Sequence, residues 1–89
     1  MAERTLLIQN KLGLHARAAS HLVKTACDFK SRITVEKAGA SASAKSIMGL
    51  MLLAAAKGQT VTVTADGEDE DAALAAIESL IRNRFHEEQ

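Results

Sequence analysis

Eighty-nine residues hold one domain, expected to span 1–89, with a single hydrophobic core. An apolar fraction of 47% and a charged fraction of 25% are globular values that exclude disorder, collagen-like repeats and coiled coil. Eleven basic and eleven acidic side chains cancel to a formal charge of +0, and two Phe with no Trp or Tyr offer no stacking platforms, so nucleic acid and membrane surfaces are excluded as partners.

Residues 4–9 (RTLLIQ) read as a strand with a buried centre, and their apolar part is far too short for a secretory leader. Residues 10–13 (NKLG) form a loop. Beyond it Ala16, Ala19, Leu22, Val23 and Ala26 recur at helical spacing, which predicts a helix from 16 to about 27. The lone Cys27 excludes an internal disulfide and a thiolate metal site, and beside Ala26 and Phe29 it reads as a small buried hydrophobe.

In RITVEK (32–37), Ile33 and Val35 fall on one face of a second strand. Ala38 and Gly39 make a hairpin turn into ASASA, a weak third strand of small residues. Ser46 precedes a helix predicted over 47–56, with Lys57 and Gly58 as its stop. Those ten residues are also the longest apolar run, about half a membrane span, so the chain is expected to be soluble and cytoplasmic.

TVTVTA (60–65) is the clearest strand, with Val61 and Val63 pointing one way and the threonines the other. The last helix follows Asp66 and Gly67, opens on the acids at 68–71, closes on Arg82 and Arg84, and presents Leu74, Ile77, Leu80 and Ile81 as its core stripe. The order βαββαβα fits a two-layer α+β sandwich: an open antiparallel sheet covered by helices on one face.

Of three histidines, His86 lies in a polar tail and reads as solvated, while His21 reads as a helix-surface or partly packed residue. His15 and His21 are six apart, so no histidine pair shares a helix face and no metal site is supported. His15 stands apart because it immediately precedes the first helix, with Arg17 two residues on. Unpartnered N–H groups at a helix start, the positive end of the dipole and an arginine fork suit an anion. They also suit a neutral imidazole that accepts a phosphoryl group and holds it. On these grounds alone a plain helix-start histidine and a phosphoryl acceptor both stay open.

Ser46 reads as an N-cap hydroxyl at a position that would also tolerate a phosphate. The helix after it is apolar on most sides. Part of it belongs in the core and part forms an exposed docking patch, with Met48 and Met51 as the exposed pair.

Three stretches carry a family resemblance. NKLGLHARAAS resembles the active-site segment of HPr, the histidine-containing phosphocarrier family of the bacterial phosphotransferase system. SASAKSIMGLMLLAAAKG resembles that family's segment around its regulatory serine, and VTVTADGEDEDAALAAIESLI its final strand and helix. The likeness runs from about residue 5 to residue 85 and implies the open-faced β-sandwich: a four-stranded antiparallel sheet with three helices on one face. It implies that His15 takes phosphate from phosphoenolpyruvate by way of enzyme I, on Nδ1, and passes it to enzyme IIA domains, with Arg17 steadying the group.

It further implies that Ser46 is modified by an ATP-dependent HPr kinase in lineages that have one, and that Ile47, Met48 and Met51 form the docking surface. The implied carrier is an intermediate in phosphoryl transfer and not a turnover enzyme by itself, and a monomer without cofactor or metal is expected. Sugar uptake is the expected setting, with a nitrogen-branch carrier or a regulatory binding module controlled at Ser46 as the alternatives. One residue departs from the pattern: Ala18 stands where the family commonly has proline, which leaves the first turn somewhat freer.

Overall fold

A computed structural model describes residues 1–86, the side chain of His86 excepted, so the expectation of a solvated His86 lies outside the described residues. The elements run β1 (Ala2–Leu7), α1 (Ala16–Ala26), β2 (Arg32–Lys37), β3 (Ala40–Ser43), α2 (Ile47–Leu52), β4 (Thr60–Asp66) and α3 (Glu70–Arg82), followed by a 3₁₀ turn (Arg84–His86). The four strands form one antiparallel sheet in the order β1-β4-β2-β3, with three helices packed on its apolar face.

Strand alternation sorts the faces. Leu6, Ile33, Val35, Val61, Val63 and Ala65 point into the core, and Thr5 and Thr62 meet across β1 and β4 on the other face. Leu74, Ile77, Leu80 and Ile81 of α3 are buried against the sheet, joined by Ala73.

Four expectations are corrected. β1 begins at Ala2, two residues early, because β4 runs on to Asp66 and Ala2 pairs with Ala65. At its other end Ile8 continues the pairing irregularly, donating to the Gln59 carbonyl and accepting from the Gly58 N–H, both at 2.9 Å. α2 stops at Leu52 instead of reaching 56. Leu53 and Ala54 close the last turn with tight bonds to Leu50 and Met51, and Ala54 enters the left-handed region at φ 52°. Ala55 is then free to receive the Leu14 N–H at 2.9 Å, a tertiary bond that overrides the helix propensity of the alanines.

Cys27 is exposed, not buried. It is the C-cap of α1, and the apolar stripe has already ended at Ala26. The stripe itself is rotated: Ala18, Ala19, Leu22 and Ala26 are buried, Val23 is half-buried, and Ala16 faces solvent beside His15.

At one end of the sheet, Asp69 ties the start of α3 to the start of β2. Its carboxylate accepts the Lys30 N–H at 2.8 Å, the Ser31 N–H at 3.0 Å and the Ser31 hydroxyl. At the opposite end lie the 8–14 loop, the 54–59 segment and the 3₁₀ turn, and this is the end that carries His15.

Candidate functional site

His15 is the N-cap of α1. Its backbone is extended at φ −78° and ψ 178°, and its carbonyl accepts the Ala19 N–H at 2.8 Å. The side chain caps as well: Nδ1 accepts the Arg17 backbone N–H at 3.3 Å. A ring nitrogen that accepts cannot carry a proton, so in the neutral ring the hydrogen sits on Nε2. The Nδ1 lone pair therefore faces the positive end of an eleven-residue helix. The ring is half-buried, open to water on one side.

The preceding loop fixes this orientation. The Asn10 side-chain amide donates to the Gly13 carbonyl at 2.7 Å, Gly13 takes φ +64°, and Leu14 is buried with its N–H on Ala55. His15 is thus delivered by a loop pinned at Asn10, Gly13 and Leu14. Arg17 is exposed, and among the described residues no ion pair engages its guanidinium. Its charge is two residues from the imidazole and available to an anion there.

Ser46 is the N-cap of α2. Its Oγ accepts the Gly49 N–H at 3.1 Å, and a methyl group at 49 would stand 3.2 Å from that oxygen. The hydroxyl is half-buried. Lys45, beside it, is committed to the Phe29 carbonyl at 2.8 Å.

The crowded circumference of α2 divides cleanly. Leu50 and Leu53 go into the core, while Ile47, Met48, Met51 and Leu52 stay out, Met48 and Leu52 being 71% and 78% exposed. Leu52 was not among the residues expected from sequence. The signal was present, since 48 and 52 are one helical turn apart on the same face. Leu12, in the loop leading to His15, is also exposed. α1 packs directly on α2, so the helix start that carries His15 and the apolar surface belong to neighbouring elements. Among the described residues no helix is long and apolar enough to cross a membrane.

Comparison with known proteins adds a relationship to this geometry. The family model described as "PTS HPr component phosphorylation site" matches residues 2–83. The chain is 50% identical over 88 residues to the phosphocarrier protein HPr of Xylella fastidiosa, covering 99% of each chain. It is 46% identical over 85 residues to the phosphocarrier protein NPr of Shewanella violacea, covering 96% of this chain and 93% of that one. The crystal structure of HPr-C-His from Thermoanaerobacter tengcongensis superimposes with a TM-score of 0.96 at 47% identity, covering 100% of both chains.

Proposed function

The chain belongs to the HPr family of phosphotransferase-system phosphocarriers, and from that membership we propose that His15 Nδ1 is its phosphoryl acceptor, charged by phospho-enzyme I and discharged to enzyme IIA domains. The observation that carries this reading is the His15 Nδ1 lone pair held against the Arg17 N–H at the start of α1.

In the transfer, that lone pair attacks the phosphorus of the donor's phosphohistidine. The new Nδ1–P bond forms as the donor's N–P bond breaks, and the bonding electrons return to the donor ring. No proton has to leave Nδ1, because none is there. The Arg17 N–H that capped the imidazole then turns to a phosphoryl oxygen, joined by its guanidinium. Because the site is half-open to water, this stabilisation is moderate, and the phosphoryl group keeps the transfer potential an acceptor needs.

Docking falls to Ile47, Met48, Met51 and Leu52, a preformed apolar surface suited to several partners met in turn. Ser46 adjoins that surface, and phosphorylation there by an ATP-dependent kinase would place a dianion at its edge and weaken docking. The carrier works as a cytoplasmic monomer.

The test is intact mass after incubation with phosphoenolpyruvate, Mg²⁺ and enzyme I, with His15→Ala alongside. One acid-labile phosphoryl group on the wild type and none on the variant supports the reading. No label with enzyme I of either the sugar or the nitrogen branch overturns it. Transfer onward to a sugar-branch or a nitrogen-branch IIA domain then assigns the branch.

A further inference from the structure

The chain holds three methionines, and all three are exposed, although a flexible thioether is a ready filler of interior gaps. Two of them, Met48 and Met51, are three apart in α2 and so neighbours on the helix surface, at 71% and 41% exposure. Ile47 and Leu52, which share the exposed apolar surface, have no atom that mild oxidants attack. Leu50 and Leu53 hold the helix to the core, so its seating does not depend on either thioether.

A thioether needs no activating base to be oxidised. Its sulfur lone pair attacks one oxygen of a peroxide, and the S–O bond forms as the O–O bond breaks. The proton on the transferred oxygen passes to the departing hydroxide, giving water. The sulfur loses the two electrons that the peroxide gains, and the product is a sulfoxide, polar where the side chain was apolar. In the free chain, water solvates that oxygen at no cost to the fold. In an apolar contact it is stripped of water and finds no donor, which is unfavourable. Oxidation here therefore acts on docking and spares stability.

We propose that Met48 and Met51 form a reversible oxidation site, at which peroxide turns the exposed face of α2 from apolar to polar and weakens its contact with enzyme I. This rests on the reading of that face as the docking surface.

The experiment treats the full chain with hydrogen peroxide, then removes the oxidant with catalase. Cys27→Ser is the background, since the exposed thiol would compete for oxidant. Peptide mass mapping should find one added oxygen each on Met48 and Met51, with the Tm unchanged. Calorimetric titration should then show enzyme I binding weakened about tenfold. Methionine sulfoxide reductases for the two epimers should restore it. The chain carrying Met48→Leu and Met51→Leu, whatever its own affinity, should bind equally before and after peroxide. Loss that persists in that variant traces to oxidation elsewhere and overturns the proposal. So does failure of Met48 and Met51 to oxidise while the chain is folded. Met48→Glu in parallel separates the two readings. If it weakens binding and the sulfoxides do not, the docking surface stands and the switch is refuted; if neither does, the docking reading falls with it.

Discussion

Gly13 lies directly against the carbonyl of Ala55. A Cβ at position 13 would overlap that oxygen and come within 2.9 Å of the Ala56 Cα, and the backbone there is at φ +64°. Only glycine accepts both conditions. Gly13→Ala should therefore cost about 2–4 kcal/mol, from the left-handed penalty together with overpacking against backbone that cannot yield. The same displacement moves Leu14 off Ala55 and loosens His15. Urea unfolding checks the first effect. The rate of phosphorylation by enzyme I, measured where the variant is still folded, should also fall. A variant of wild-type stability would refute the close approach.

Ala54 poses the opposite case. It holds φ 52° just past the end of α2, is exposed, and makes no use of its side chain. Glycine there removes the left-handed cost, and it is the usual residue where a helix ends in this conformation. Ala54→Gly should stabilise by about 0.5–1 kcal/mol despite the added freedom of the unfolded chain, seen as a Tm higher by a few degrees. A lower Tm would contradict it.

These two positions also mark what the sequence could and could not disclose. Alternation at Val61 and Val63 and the stripe through Leu74, Ile77 and Leu80 are local signals, and both are realised. The position of His15 at a helix start was equally legible. The end of α2 was not, because it depends on a bond from Leu14 to Ala55, forty-one residues apart in sequence. Cys27 was misplaced because burial of Ala26 says nothing of the next residue, turned about 100° around the helix.

The exposed face of α2 gives a prediction about partners. Met48 and Leu52 are the most exposed side chains of the helix and share one face, while Leu50 and Leu53 hold it to the core. Met48→Glu and Leu52→Glu should each weaken enzyme I binding at least about tenfold, as charges placed in an apolar contact do. Stability should change by no more than about 0.5 kcal/mol, since neither side chain is packed. Thr62→Glu, on the opposite sheet face, should leave binding intact. Calorimetric titration decides, and equal weakening by all three would show the docking surface to lie elsewhere.

Asp69 sets a pH dependence of stability. The Ser31 hydroxyl, then the Lys30 N–H, donate to its carboxylate and hold its pKa below the usual aspartate value of 3.8. Between the folded and unfolded pKa values the unfolded chain binds a proton that the folded chain does not, so falling pH favours unfolding. The contribution is fully present above the unfolded value and is lost as pH drops through the lower, folded one. Asp69→Asn removes it. With one carbonyl oxygen in place of two carboxylate oxygens, the amide must turn an NH₂ toward either Lys30 or Ser31. The variant should be less stable than wild type at pH 7, with the difference shrinking as pH falls below about 4. Urea midpoints at pH 7, 5, 4 and 3 measure this directly. Parallel curves for the two proteins would mean that Asp69 makes the same bonds in both charge states and does not link α3 to β2 through its ionised form.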